Sequence, residues 1–263
     1  MHAARCCAVA LGIGALGIGV LALGPGADLA AAAGSKPAAP AGAADPGAPA
    51  VTPLSFGRVA HWAYPQVAAI ARAEPSGSAA AVGRLRFLTT DGLNQPQLYE
   101  ALREERNAKT GNRWIDVSLP QRPNGVTGWV PAHALGPLHV SYGLIVVSRA
   151  LRRVTFYDRG DKVIFTARVG VGRPSLPTPP GQFYVLEKWR LTPGGALGPF
   201  GLGTSAYAPT LTDWPGGGIV GIHGTDQPQL IPGDPSHGCV RLRNPDITRL
   251  WHMVRIGTRI TIT

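Results

Sequence analysis

Glycine and proline recur throughout this chain at intervals that leave little room for a long helix. There are 35 glycines and 25 prolines among 263 residues, and each of them weakens or ends a helix that it interrupts. Between them lie short runs in which apolar and polar residues alternate, the pattern of a strand with one buried face. The sequence therefore predicts a mainly β fold built from short strands and turns.

The first 33 residues have the outline of an export signal. Arg5 precedes an apolar stretch at residues 8–23, and alanines at 30–33 suit a signal peptidase. This stretch of about 16 residues is shorter than the roughly 20 that a spanning helix needs. We expect cleavage before Gly34, with an uncleaved anchor as the alternative. The protein is then exported to the cell wall, and any membrane contact is made through this segment alone.

Residues 34–54 contain alanine, proline and glycine with almost no large apolar side chain, which predicts a flexible linker. The rest divides into two expected domains, residues 55–138 and 139–263. The net charge of +10 favours anionic polymers at a cell surface, although a solvated arginine-rich surface is the alternative. Because the arginines are scattered and not interleaved with aromatic residues, we do not expect nucleic acid as a partner. We expect a monomer.

In the first domain, alternation predicts strands at residues 84–88, 113–119 and 128–130. Residues 97–109 fit a strand or a helix, and we favour a strand because residues 109–112 make a good hairpin connection to the next one.

The stretch 114–131, with a turn at 122–125 and tryptophans at 114 and 129, resembles the bacterial SH3-like barrel found beside cell-wall enzymes. A small β-meander with two core tryptophans is the alternative.

In the second domain, hairpins follow one another without a helix between them. The predicted strands are residues 143–148, 153–158, 163–169, 181–186, 218–222 and 259–263. One helix is predicted to begin at Asn244, which can cap it, with Pro245 and Asp246 in its first turn. Leu250 and Met253, with Val254 after them, give it an apolar face.

One cysteine stands out near the end of the chain. Cys6 and Cys7 fall in the predicted leader, so the mature chain keeps Cys239 alone, in the run Ser-His-Gly-Cys-Val-Arg. At neutral pH only a few per cent of an ordinary thiol is ionised, and a nucleophilic cysteine therefore needs a base or a cation beside it. His237 lies two residues before it, and His223 ends an apolar strand, with a loop of twelve residues between it and Ser236. A loop of that length can fold back and place Cys239 beside His223.

The neighbours of Cys239 suit acyl transfer. Gly238 allows unusual dihedral angles and a close approach of a substrate carbonyl, and the N–H groups of residues 237–239 are candidates for an oxyanion hole. Arg241 can lower the pKa of the thiol or bind a substrate carboxylate. A small buried cysteine without chemistry is one alternative. A zinc site made by His223, His237 and Cys239 is another, although we expect no metal and no other cofactor.

The segment "GIVGIHGTDQPQLIPGDPSHGCVRLRNPDITRLWHMVRIGTRITIT" resembles the L,D-transpeptidase (YkuD-like) catalytic domain. Further similar pieces are "LPTPPGQFYV", with Pro180 where that family usually has threonine, and "GPFGLGTSAY". The resemblance implies a β-sandwich with one helix near its C-terminal end. It makes Cys239 the nucleophile and His223 the proton acceptor and donor, with His237 and Gly238 at the oxyanion site. The expected substrate-binding residues are Arg241, Ser236, Thr225 and Tyr207.

The resemblance also implies a reaction. A peptidoglycan stem tetrapeptide loses its terminal D-alanine to form a thioester, and the acyl group passes to the side-chain amine of a diamino acid on a neighbouring stem, which joins third residues. The expected partners are donor and acceptor stem peptides, and carbapenem-type inhibitors should acylate the same cysteine. An L,D-carboxypeptidase that trims the stem and a non-catalytic peptidoglycan-binding protein are the alternatives. The second of these is less favoured, because both Cys239 and His223 are present.

Overall fold

Hydrogen bonds group the strands into two sheets, which the computed structural model describes at residues 50–90, 94–107, 110–211 and 217–263. Within these ranges the protein is mainly β with one α-helix, as predicted. The predicted signal segment, 1–33, and most of the predicted linker lie outside the described residues. No helix in the described ranges is both long enough and apolar enough to cross a bilayer.

The first sheet has eight strands, and its core includes Tyr99, Val117 and Val130. Its strands are β1 (Ala50–Pro53), β2 (Val59–Ala63), β3 (Ile70–Arg72), β4 (Ala81–Arg84), β5 (Tyr99–Arg106), β6 (Arg113–Ser118), β7 (Thr127–Pro131) and β8 (His139–Tyr142). Their order is β4-β3-β7-β6-β5-β2-β8, and β1 pairs with β5. The antiparallel pair β5–β6 confirms the predicted strand and hairpin at this position. The resemblance of this sheet to an SH3-like barrel stays a prediction.

Two expectations about the first sheet are wrong. The end of the predicted linker is strand β1, because the edge of β5 offers it backbone partners from Arg103 to Arg106. The predicted strand at 84–88 keeps only its first residue in a strand, β4. Alternation fails there, since Phe87 and Leu88 are both about half exposed, at 48% and 49%.

The second sheet has ten strands on one hydrogen-bonded path. They are β9 (Leu144–Ser148), β10 (Arg153–Tyr157), β11 (Val163–Arg168), β12 (Gly170–Gly172), β13 (Gly181–Arg190), β14 (Phe200–Tyr207), β15 (Ile219–His223), β16 (Gly233–Ser236), β17 (Val240–Arg241) and β18 (Arg259–Ile262). Their order is β11-β10-β9-β18-β13-β14-β15-β17-β12-β16. Hydrogen bonds join all ten strands in one path, whose two ends bury side chains in one shared core. The expected sandwich stays a prediction. Because β8 pairs with β2, the first sheet extends to Tyr142, beyond the expected boundary at 138.

Helix α1 (Asn244–Met253) lies where the sequence predicts it, with Ile247, Leu250 and Trp251 buried. The predicted cap is wrong. Arg243 occupies the capping position, and no side chain caps the helix there. The side-chain oxygen of Asn244 instead accepts a hydrogen bond from the backbone N–H of Thr225 at 2.9 Å. The helix start is thereby tied to the segment that follows His223.

The two sheets meet at a small cluster of buried residues, Trp62, Leu98, Tyr184 and Leu186. The hydroxyl of Tyr184, in the second sheet, donates to the carbonyl of Ser118, in the first, at 3.1 Å. Because both apolar burial and hydrogen bonding of a buried hydroxyl act at this junction, the two sheets hold a defined orientation.

Candidate active site

Strand register places the candidate catalytic residues in two rows across one face of the second sheet. Directly paired residues on neighbouring strands lie on the same face. The first row is Trp189, Gly201, His223 and Arg241. The second row is Glu187, Gly203 and Gly221, and it continues to Cys239, which immediately precedes β17. The nucleophile and base that the sequence predicts are thus brought together, Cys239 just before β17 and His223 at the end of the adjacent strand β15.

The thiol of Cys239 lies against the backbone of β15. The N–H of Gly221 donates to its sulfur at 3.4 Å, within the range of a weak sulfur hydrogen bond. The thiol and the imidazole of His223 line one pocket, together with Ser236, His237 and Gly238 among others. Cys239 is partly exposed, so a substrate can reach it from this pocket.

A trough of three glycines crosses the sheet beside this pair, and the indole of Trp189 lies over it. A Cβ built at Gly201, Gly203 or Gly221 would come within 2.7, 2.7 or 3.1 Å of that ring. The indole N–H donates to the carboxylate of Glu187 at 2.7 Å, which fixes the ring's orientation. The glycines are therefore required for Trp189 to lie against the base-bearing strand.

The tautomer of His223 follows from its surroundings. Its Nδ1 lies 2.6 Å from the carbonyl oxygen of Gly224, and since a carbonyl only accepts, Nδ1 carries the proton and Nε2 is left as the acceptor. Burial lowers the pKa of His223 to about 4, the positive charge of Arg241 acts in the same direction, and the backbone of Gly224 and Leu197, which favours the protonated ring, opposes it. At neutral pH the imidazole is uncharged and can accept a proton.

The thiol is not activated in the resting protein. Burial raises the pKa of Cys239, and this outweighs the lowering by the Gly221 N–H and by the charge of Arg241. The charge of Arg241 lowers the pKa of the thiol, as the sequence suggests, but desolvation raises it by more. The resting pair is a neutral thiol and a neutral imidazole, so the thiol proton passes to the imidazole before or during attack on the substrate.

Two hydroxyl groups fix the turn before Cys239. Ser236 donates to the carbonyl of Cys239 at 2.6 Å and accepts from the N–H of Gly238 at 3.1 Å. Thr178 donates to the carbonyl of Gly238 at 2.8 Å and itself accepts from the N–H of Gly172 at 2.9 Å. Gly238 has φ +127°, a conformation that favours glycine. Because its N–H is engaged by Ser236, the candidate oxyanion donors are the N–H groups of His237 and Cys239.

Three other predicted site residues also line the pocket of Cys239. Arg241 lines the pocket, and its Nε is buried without a hydrogen-bond partner among the described residues. His237 also lines the pocket, where burial, then the charges of Arg173 and Arg241, lower its pKa. Ser236 lines it too, although its hydroxyl is committed to the turn.

Thr225 and Tyr207 are not among the residues that line the pocket of Cys239. Thr225 is buried and accepts a hydrogen bond from the N–H of Gln227 at 3.0 Å. Tyr207 is buried, its hydroxyl lies 2.9 Å from that of Thr90, in the segment between β4 and β5, and it lines a separate cleft. Because both side chains are engaged within the fold, the structure gives no support to their expected contacts with substrate.

Sequence reasoning missed Trp189, the three-glycine trough and Thr178. Glycines two apart at 201 and 203, within a run that otherwise suits a strand, are the signal that was available. Among the described residues there is no cluster of three or more histidine, cysteine, aspartate or glutamate side chains that would hold a metal ion.

Part of this chain is similar in sequence to known proteins. Residues 142–262 match the L,D-transpeptidase catalytic domain, YkuD, which confirms the resemblance carried by the motif around Cys239. The YkuD protein of Bacillus subtilis strain 168, provisionally named an L,D-transpeptidase, is 34% identical over 118 residues, which are 45% of this chain and 64% of that relative. The Escherichia coli K12 protein YbiS, also provisionally named an L,D-transpeptidase, is 28% identical over 214 residues. The match covers 71% of this chain and 66% of that relative.

Two solved structures are also similar to this chain. A cysteine-to-serine variant of the Enterococcus faecium L,D-transpeptidase is 26% identical with a TM-score of 0.36, over 46% of this chain and 49% of that one. L,D-transpeptidase 3 from Mycobacterium tuberculosis, in complex with a faropenem-derived adduct, is 18% identical with a TM-score of 0.37, over 58% of this chain and 91% of that one.

Proposed function

We propose that this protein is a peptidoglycan L,D-transpeptidase acting outside the membrane, with Cys239 as nucleophile and His223 as general base and acid. The observation that carries the proposal is the pair of rows on the second sheet. They place a thiol and an imidazole with an available Nε2 on one face, lining one pocket. The similarity of residues 142–262 to the L,D-transpeptidase catalytic domain supports the choice of substrate.

Acylation begins with the neutral pair. Nε2 of His223 takes the thiol proton as the sulfur of Cys239 attacks the carbonyl of the third stem residue, and the oxyanion forms beside the N–H groups of residues 237 and 239. His223 then gives the proton to the departing amine, and D-alanine leaves. A thioester on Cys239 remains, and the charge on the site is unchanged.

Transfer reverses the roles of the proton donor and acceptor. The side-chain amine of a diamino acid on a second stem attacks the thioester, His223 accepts a proton from that amine, and the thiolate leaves. Cys239 recovers its proton from His223. The new amide joins the third residues of two stems, and no nucleotide energy source is consumed, because the energy of the first amide is carried by the thioester.

Arg241 supports binding of an anionic substrate. It lies on the same face as His223, two residues beyond Cys239, and its buried Nε has no hydrogen-bond partner among the residues described. A buried donor without a partner is costly, so a carboxylate in the pocket would both satisfy it and neutralise its charge. The proposal assigns this place to a carboxylate of the donor stem.

The test is mass spectrometry of the purified protein with a defined disaccharide-tetrapeptide. The proposal expects a thioester on Cys239, a mass loss of one alanine from the donor, and a crosslinked dimer. Cys239→Ala should keep the fold and form no adduct with either the tetrapeptide or a carbapenem. Covalent labelling of that variant would refute the nucleophile assignment.

The same experiment separates the alternatives. A trimmed tripeptide without dimer would replace transfer by hydrolysis, as in an L,D-carboxypeptidase. Peptidoglycan binding without any adduct would leave a non-catalytic binding protein. The proposed role of the first sheet is to orient the second on the wall polymer, and export rests on the predicted leader.

A further inference from the structure

We propose that Arg122, in the first sheet's turn at residues 122–125, is a positioning residue for the pocket of Cys239. Residues 208–211 and 217–218, which we call the wall segment, form one side of that pocket through Ala208, Leu211 and Gly218. The turn comes from a different sheet, follows β6 in the chain, and reaches across the junction to this segment.

The contacts of Arg122 are concentrated on the wall segment. Its Nε donates to the carbonyl of Ala208 at 3.0 Å, and one terminal nitrogen donates to the carbonyls of Leu211 and Gly217 at 2.9 Å each. These hydrogen bonds are charge-assisted and come from a planar guanidinium, so they fix the direction of each carbonyl as well as its distance. One guanidinium thus holds both parts of the wall segment together.

Asn124 completes the connection two residues later. Its side-chain nitrogen donates to the carbonyl of Tyr207 at 2.7 Å, and its side-chain oxygen accepts from the N–H of the same residue at 2.9 Å. The guanidinium of Arg122 also lies over the ring of Tyr207, 4.8 Å from its centre. This accounts for the place of Tyr207, which joins the two sheets and does not line the pocket of Cys239.

The wall segment fits closely around Arg122 and extends to the turn that precedes Cys239. A Cβ at Gly218, which has φ +80°, would overlap the carbonyl oxygen of Leu211 and the Nη2 of Arg122. Ala208 lies at the other side, since a Cβ built at Gly238 would be 3.6 Å from its methyl group. A shift of the Ala208 carbonyl would therefore change the side of the pocket that lies near Gly238 and Cys239.

Loss of Arg122 should displace the wall segment without destroying the thiol of Cys239. Misplacement by about 1 Å can cost about 100-fold in rate. We expect Arg122→Ala to slow acylation of Cys239 by the tetrapeptide by about 10- to 100-fold. Alkylation by iodoacetamide, which is small and needs no wall, should be no slower than in the wild type.

The matched control is Arg86→Ala. Arg86 lines the same cleft as Arg122 and Tyr207, yet no described contact joins its side chain to the wall segment, so this variant should behave as the wild type. Arg122→Lys keeps the charge and loses the fork, and we expect an acylation rate between those of the wild type and Arg122→Ala.

A second readout does not depend on chemistry. The N–H of Ala208 donates to the carbonyl of Gly218 at 2.8 Å, and hydrogen exchange of this amide reports the wall directly. We expect at least about tenfold faster exchange at Ala208 in Arg122→Ala while amides of β10 are unchanged, as local opening requires. Faster exchange throughout the sheet would indicate general destabilisation and overturn the inference, as would unchanged exchange at Ala208 in both Arg122 variants.

Only the acylation arm rests on the proposed function. If the wild type formed no thioester, that function would fail, while exchange at Ala208 would still decide the role of Arg122. If the wild type is acylated and Arg122→Ala is acylated equally fast with normal exchange, the inference alone fails.

Discussion

Replacing His223 by asparagine should remove one cause of the protein's loss of stability at acid pH. The folded state holds His223 with a pKa of about 4 because the ring is buried, whereas an unfolded histidine has a pKa of about 6.5. The asparagine side chain would keep a nitrogen near the position of Nδ1, able to donate to Gly224, and it cannot titrate. The two proteins therefore differ mainly in one protonation equilibrium.

The sign and size follow from linkage. Above pH 6.5 His223 is neutral in both states and contributes no pH dependence. As the pH falls below 6.5, the unfolded chain binds a proton at this histidine that the folded protein does not bind. The wild type therefore loses stability until the pH reaches the folded pKa of about 4. The loss is about 2 kcal/mol at pH 5 and about 3 kcal/mol at pH 4, using 1.36 kcal/mol per pH unit.

Urea denaturation of both proteins at pH 7.5, 5 and 4 measures this difference, because groups shared by the two proteins cancel. His252→Asn, at an exposed helix position, is the matched control and should retain the wild-type loss. A wild-type minus His223→Asn difference that stays constant from pH 7.5 to pH 4 would show that the imidazole is not held neutral, and the argument for a neutral resting pair would fail with it.

Three further outcomes are expected. Acylation of the wild type should fall by less than about twofold between pH 7 and pH 5, since a base with a pKa of about 4 stays unprotonated; a loss of more than tenfold would indicate an ordinary histidine as the base. Gly221→Ala should lower the free energy of unfolding by about 1–3 kcal/mol, because its Cβ would lie 3.1 Å from the ring of Trp189; an unchanged urea midpoint would show that the ring can move aside. Dialysis against a chelator should leave the acylation rate unaltered, and activity lost there and restored by zinc would revive a metal site at His223, His237 and Cys239.

The sequence predicts local features of this protein well. The strand that ends at His223, the helix at Asn244 and the unusual backbone conformation of Gly238 all follow from neighbouring residues. The prediction that the chain returns to His223 is confirmed. A loop rich in proline and glycine can make this return at little cost in free energy.

What the sequence does not predict depends on long-range register. Trp189 joins the site only because β13, β14 and β15 pair with a particular offset, and nothing near Trp189 in the chain reveals that offset. Asn244 suits a cap by its position, yet it finds Thr225 as a nearer partner. Tyr207 suits the pocket by its place in the chain, yet the turn at 122–125 binds it from the other sheet.

Burial is the other effect that local sequence does not report, and it changes the account of reactivity. Arg241 beside a cysteine suggests an ionised thiol, but desolvation raises the pKa of Cys239 and keeps it protonated. A neutral nucleophile gains little from electrostatic activation before substrate binds, so its rate must depend on where the sulfur, the imidazole and the substrate carbonyl meet. The structure is consistent with this requirement, since Ser236 and Thr178 fix the turn before the sulfur and Arg122 fixes the wall facing it. Variants at these positions should therefore slow acylation by a large, oriented substrate while leaving reaction with a small alkylating agent nearly unchanged.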